Sequence, residues 1–330
     1  MKNINKIVLI GCGNVAYSNK ENIFSSHLSS IFKTKKFYVS AIIDNDLKKN
    51  AHLSKIFKNI HFSNNLIPTI NNFKPDVITI SSPSSTHYSI TKEILNNSKF
   101  LPKLIFLEKP CCENLRELRE LIFLSKKKNT PILVNHTRRF DKSYESIKKD
   151  LKKKIYGKIK YINVFYYKSL LHNGVHVIDT LNYLFDEDFM IFNSHKIDFN
   201  CNKDSGFDII LLGKKTKSRI FINSLNKISY QVFEFDFFFE KARLTLHDYG
   251  NKKVLKRIYE NKSSSLPFYS LQNKSIEKYK LKNNYPFINA YTTIDNFLRT
   301  KDYSIINKYS IINSKNSMEL IFNIFKKHEK

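Results

Sequence analysis

Residues 7–16, Ile7-Val-Leu-Ile-Gly11-Cys-Gly13-Asn-Val-Ala16, set a short apolar run directly against a G-x-G-x-x-A turn. A strand buried on both faces needs a continuous apolar run, and the first glycine permits a tight turn after it. The second glycine leaves bare backbone to which a phosphate can approach, and a small third residue lets a following helix sit close. The junction therefore reads as the first strand of a doubly wound sheet, with a helix starting at about Val15.

The next apolar run, Phe37 to Ile43, closes on Asp44. A carboxylate at the end of the second strand can accept hydrogen bonds from both hydroxyls of an adenosine ribose and repels a 2'-phosphate, which favours NAD over NADP. Asp44-Asn45-Asp46 also reads as a turn and helix cap, and the two readings are compatible. Ala16 and Asp44 are 28 residues apart, against roughly 20 in the generic fingerprint. The first helix or its loop must be extended.

Apolar runs and amphipathic stretches keep alternating: a short strand near Ile60 to Phe62, then Val77 to Ser82, Leu104 to Leu107 and Pro131 to Asn135, with helices from about Leu47, over Thr86 to Leu95 and over Leu115 to Ser125. Such alternation predicts a parallel sheet with crossover helices. Beyond Ile155 the pattern changes to strand-rich segments, including Lys158 to Tyr167, Asp208 to Leu212, Arg219 to Ile222, Tyr230 to Phe239 and Ala242 to His247. Strands without intervening helices predict an antiparallel sheet. The expectation is a Rossmann domain over 1–125 and an α+β domain over 126–330. Asn251 to Asn284 is polar and lysine-rich and reads as a loop; amphipathic helices near Pro286 to Arg299 and Lys315 to Lys327 close the chain.

Fifty-six Lys and Arg against 29 Asp and Glu give a formal charge of +27, a balance that ordinarily points to nucleic acid or an anionic membrane. Here abundant Lys, Asn, Ile and Phe beside 7 Gly, 8 Pro and no Trp are what an AT-rich genome imposes on any protein. The lysines are dispersed, and no RNA-binding aromatic signature accompanies them. Neither nucleic acid nor membrane is expected as partner, although the positive field would steer anionic substrates inward. No apolar run is long enough to span a bilayer. Cys12, Cys111, Cys112 and Cys201 have no C-x-x-C spacing, which places the chain by default in a reducing cytoplasm.

Four further islands fall at strand ends or in the second half. Ser81-Ser-Pro83-Ser-Ser-Thr-His87 is a candidate ligand turn or a Ser/Thr-capped helix with an incidental histidine. Glu108-Lys109-Pro110 presents an ammonium beside a carboxylate, or is a structural ion pair. Asn135-His-Thr-Arg138-Arg139-Phe140 carries two arginines that could hold an anion or pair with surface acids. In His172-Asn-Gly174-Val-His176-Val-Ile-Asp179, helical offsets of four and three put His172, His176 and Asp179 on one face. The trio could ligate a metal, but it lacks the glutamate of metalloprotease motifs, and no metal is expected.

In order and spacing these motifs resemble the Gfo/Idh/MocA oxidoreductase family, over about the first 185 residues. The resemblance implies a Rossmann domain, a C-terminal domain with a large, mostly antiparallel sheet, and a substrate site between them. It places Gly11, Gly13, Asn14, Val15 and Ala16 at the cofactor pyrophosphate and Asp44 at the adenosine ribose. Ser81, Pro83 and His87 would line the cofactor crevice, and Glu108 with Lys109 would flank the nicotinamide ribose. Lys109 and His176 would form the acid/base pair, with His172, Asn173, Arg138 and Asp179 on the substrate side. The expected reaction is NAD(H)-dependent hydride transfer at a hydroxyl or keto carbon of a sugar, nucleotide sugar or cyclitol, in surface-glycan biosynthesis, by a homodimer or homotetramer.

The chain departs from the family at one informative position. Where many members carry an aspartate four residues before the G-x-H histidine, this chain has His172, which alters the charge around the acid/base pair. A catalytically silent NAD- or sugar-sensing protein on the same fold is the alternative.

Overall fold

The computed structural model describes residues 4–18, 26–197, 205–225, 230–261, 268–278 and 284–328. The chain divides into two compact units, Met1–Phe140 with Tyr285–Lys315, and Asp141–Asn284 with Asn316–Lys330.

In the first unit six parallel strands are β1 (Asn5–Ile10), β2 (Phe37–Ile43), β3 (His61–Ser63), β4 (Val77–Ile80), β5 (Leu104–Leu107) and β6 (Ile132–Val134). Their spatial order is β3-β2-β1-β4-β5-β6, which reverses direction at β1 and opens a crevice beyond the carboxyl ends of β1 and β4. Every residue of β4 and β5 is buried, as expected where helices cover both faces of a parallel sheet. The crossover helices are α1 (His27–Thr34), α2 (Leu47–Ile56), α3 (Leu66–Phe73), α4 (His87–Asn97) and α5 (Leu115–Lys127).

The expected helix start at Val15 is not observed. Gly13 to Ala16 form a single turn in which Tyr17 N donates to Gly13 O at 3.0 Å. Ser26 is the N-cap of α1. There His27 N donates to Val15 O and Leu28 N to Ala16 O, both at 2.9 Å. The helix is thus taken up again on the carbonyls of the first turn. The long spacing from Ala16 to Asp44 is an insertion in this helix's first turns.

The expected boundary at 125/126 also moves. β6 pairs with β5, and the first unit runs on to Phe140. Farther along, α8 (Pro286–Thr300) and α9 (Ser304–Asn307) belong to the first unit. Ala290, Tyr291, Ile294 and Phe297 join its apolar core with Ile7, Leu9 and Phe106. No sequence period announces this return, because an amphipathic helix does not encode which sheet it covers.

The second unit holds α6 (Lys142–Lys152), α7 (Val175–Phe185) and an eight-stranded sheet of β7 (Ile159–Tyr167), β8 (Phe189–Ile197), β9 (Gly206–Gly213), β10 (Arg219–Leu225), β11 (Phe233–Phe239), β12 (Ala242–His247), β13 (Lys252–Asn261) and β14 (Phe268–Lys278). All pairs are antiparallel except β10 with β7. Phe233, Phe235 and Phe237 are buried while their neighbours on β11 are partly exposed, the alternation of a sheet covered on one face. The segment read as a loop, 251–284, supplies β13 and β14, which pair with each other. Its lysines obscured the period of two, since an edge hairpin needs few apolar residues. The last helix, α10 (Ile311–Lys327), has its residues up to Lys315 in the first unit and the rest in the second.

Candidate active site

The glycine turn is built to leave backbone bare. Gly11 has φ +86°, and a Cβ there would lie 2.5 Å from Ser82 N, so no other residue fits. A Cβ on Gly13 would meet nothing within 4 Å; the space over it is open, as a pyrophosphate requires. Behind the turn, Ser81 is buried and its hydroxyl donates to Gly11 O at 3.1 Å. Ser81 therefore supports the turn from below. Asn14 and Val15 are exposed at its tip, Ala16 is buried beneath it, and Pro83 is exposed beyond β4.

Asp44 stands at the end of β2 beside this turn. Its Oδ2 accepts from Cys12 N at 2.7 Å and Cys12 Sγ at 3.0 Å, and its Oδ1 from Asp46 N at 2.8 Å. Burial alone would raise the carboxyl pKa, but the Asp46 amide and the Cys12 thiol and amide outweigh it and hold Asp44 below the usual range. Burial and this carboxylate push the Cys12 thiol up to about 12. Cys12 is thus a neutral donor that orients Asp44. The pattern of a carboxylate beside an open glycine turn fits an adenosine ribose and pyrophosphate.

At the end of β5, Glu108 is only 8% exposed. Its Oε1 lies 3.1 Å from His27 Nε2 and accepts from Asn135 Nδ2 at 2.5 Å, while Oε2 accepts from Lys109 N at 3.2 Å. Burial works to raise its pKa, yet the His27 and Asn135 hydrogen bonds prevail and keep the carboxyl below the usual range. The resemblance sets Glu108 against a ribose; here both oxygens are engaged within the chain. His87, expected along the crevice, is buried, with Nδ1 2.7 Å from Pro110 O and Nε2 2.9 Å from Ser82 O. It clamps the turn after β4 to the turn after β5. Sequence reasoning missed His27 and Tyr291 altogether, because the insertion removes His27 from any fixed offset to the glycines and Tyr291 lies in a distant segment.

Beyond β6 the two arginines separate. Arg139 is buried, and its guanidinium donates to Lys308 O at 2.6 Å and Asn313 O at 3.2 Å, a structural tie within the first unit. Arg138 is half-buried, with Nη1 donating to Thr137 Oγ1.

In the second unit His172 lies ahead of α7, and His176 and Asp179 lie on it. Leu170–Gly174 is a turn of π-helix, in which Gly174 N donates to Ser169 O at 3.1 Å, and a wider turn changes the angular spacing ahead of α7. His172 is exposed and His176 half-buried. Asp179 is 1% exposed, with Oδ1 accepting from Ser317 Oγ at 3.3 Å, which ties α7 to α10. Asn173 Nδ2 donates to Tyr167 O. Among the described residues no group of three His, Cys, Asp or Glu could hold a metal ion, and no helix is long and apolar enough to cross a membrane. Cys111 and Cys112 are buried, and Cys201 lies outside the described residues.

Residues 5–136 match the model of an oxidoreductase family described as having an NAD-binding Rossmann fold. Over this domain the chain is similar to the Gfo/Idh/MocA oxidoreductase family. Among curated relatives, it is 22% identical over 242 residues to the uncharacterized oxidoreductase YhhX of Escherichia coli, which covers 68% of each chain. Among solved structures, the dehydrogenase MviM of Clostridium difficile shares the fold with a TM-score of 0.71 at 20% identity, over 97% of this chain and 99% of that one. KijD10, a 3-ketoreductase of Actinomadura kijaniata solved with NADP, gives a TM-score of 0.76 at 12% identity, over 97% and 96%. The fold these two share with the chain extends through the strand-rich second half.

Proposed function

We propose that this oxidoreductase uses NAD(H) to transfer hydride to or from a hydroxyl or keto carbon of a sugar, nucleotide sugar or cyclitol, in surface-glycan biosynthesis. The observation that carries the cofactor choice is Asp44, held at the tip of β2 by the Cys12 amide and thiol beside the open backbone of Gly13. An ionised carboxylate there favours two ribose hydroxyls and repels a 2'-phosphate. Gly11, Gly13, Asn14, Val15 and Ala16 hold the pyrophosphate, with Ser81, Pro83 and His87 forming and bracing the adjoining wall.

Bound NAD supplies the two-electron acceptor or donor. The chain itself handles the proton. In oxidation His176 takes the hydroxyl proton of the substrate, and the Lys109 ammonium offsets the charge that develops on the oxygen. In reduction the same pair returns the proton. Glu108 acts through Lys109, whose amide donates to its Oε2. Arg138, His172 and Asn173 face the substrate in this reading, and Asp179 braces the helix that carries His176. The substrate class and the pairing of His176 with Lys109 rest on the family resemblance; a homodimer or homotetramer belongs to the same reading and is checked by light scattering.

The deciding experiment follows NADH absorbance against a panel of sugars, nucleotide sugars and cyclitols. Lys109→Met and His176→Ala are expected to lower turnover by about 10²- to 10⁴-fold while NADH still binds. Undiminished turnover in both variants would overturn the site assignment. Cofactor binding without turnover on any member of the panel would favour a sensor on the same fold.

A further inference from the structure

The imidazole of His27 takes no part in the chemistry above, yet it is among the most completely enclosed polar side chains of the first unit. It is 0% exposed, at the point where α1 takes up the carbonyls of the glycine turn. The rings of Phe106, Phe287 and Tyr291 meet it edge-on, with centroids 5.6, 5.0 and 5.9 Å away. Nδ1 lies 2.8 Å from the Tyr291 hydroxyl, which lies 3.2 Å from Thr79 Oγ1 on β4. Nε2 faces Glu108 Oε1. Three secondary-structure elements thus fix the ring, and its free nitrogen is aimed at the carboxylate preceding Lys109.

We propose that His27 is a positioning residue for Lys109: it holds the Glu108 carboxylate, whose second oxygen holds the Lys109 amide. The inference rests on the reading of Lys109 as the ammonium at the reacting carbon. A buried carboxylate is stable only while its hydrogen bonds are made. Asn135 supplies one and the Lys109 amide another, but His27 is the partner whose removal leaves Oε1 with a single donor. Around Glu108 the titratable groups are His27 from α1, Tyr291 from α8 and Lys109 at the same strand end. Burial then favours the neutral acid, and a neutral acid no longer attracts the Lys109 ammonium. The lysine gives up its proton more readily.

The test is the pH profile of Lys109 acylation by acetic anhydride, read by mass spectrometry on the full chain with surface Lys103 as internal standard. In His27→Ala the Lys109 midpoint is expected to fall by about half a pH unit or more. His27→Gln, which can still donate to Glu108, is expected to restore it. A His27→Ala midpoint equal to wild type, or a His27→Gln midpoint as low as that of His27→Ala, overturns the proposal. Should His27→Ala fail to fold, Glu108→Gln removes the same charge with little change of shape; a lowered Lys109 midpoint supports the proposal and an unchanged one overturns it. Labelling needs neither cofactor nor substrate. If the wild-type chain failed to quench or shift NADH fluorescence, the oxidoreductase reading would fall while the His27 result stood on its own.

Discussion

Gly11 and Gly13 are the same residue type under different constraints, and substitution separates them. Alanine at Gly11 must adopt a positive φ and set its Cβ 2.5 Å from Ser82 N. A cost of about 2–4 kcal/mol in stability is expected, measured as a lowered urea midpoint. Alanine at Gly13 meets nothing in the chain, so stability should hold while NADH affinity falls by about tenfold or more, because the added methyl occupies the space a phosphate needs. Asp44 gives a third residue-scale test: Asp44→Ser removes the repulsion of a 2'-phosphate and should narrow the preference for NADH over NADPH in a fluorescence titration. All three residues were legible from sequence, since strand-end glycines and a strand-end acid have fixed positions relative to an apolar run. His27 was not, because what defines it is a partner 81 residues away.

At the scale of elements, the turn after β2 joins a cap to a site. Asp46 is the N-cap of α2, its Oδ1 accepting from Lys49 N at 3.0 Å, and its own amide donates to Asp44 Oδ1. Asp46→Ala should cost about 1 kcal/mol in stability, seen as a small drop in Tm, and should leave the Asp44 bond in place, since that bond uses backbone. The turn-and-cap reading of this stretch holds, and the proposed ribose contact uses the same Asp44 carboxylate. The helix expected from Val15 and the loop expected over 251–284 were misread for opposite reasons. In the first case an insertion splits one helix into a turn and α1, which share carbonyls that no local pattern reveals. In the second, β13 and β14 complete each other's ladder, and backbone pairing of that kind places little demand on side chains. A π-turn holds His172 ahead of α7, which carries His176 and Asp179, a widening that no offset counted along the sequence reveals.

For the whole molecule the charge balance sets the response to salt and acid. With 56 Lys and Arg against 29 Asp and Glu, self-repulsion opposes compaction, and moderate salt should raise Tm by screening it. Acid should act through the held carboxylates. Glu108 and Asp44 lie below their ordinary values of 4.5 and 3.8, so their stabilisation is present above those values and is lost as pH falls through the lower folded-state values. Urea midpoints taken from about pH 5 down to pH 3 should therefore decline, and Glu108→Gln should flatten that decline.

The sequence by itself determined the parallel sheet, its glycine turn, the acid at the end of β2 and the lysine at the end of β5, because each is written in local alternation and in residues required at strand ends. Tertiary structure alone decided which buried groups those residues lean on: Cys12 on Asp44, His27 and Asn135 on Glu108, His87 on Pro110. It also decided that α8 returns to complete the first core. Hydrogen bonds between distant segments depend on where the chain comes back in space, and periodicity along the chain carries no record of that return.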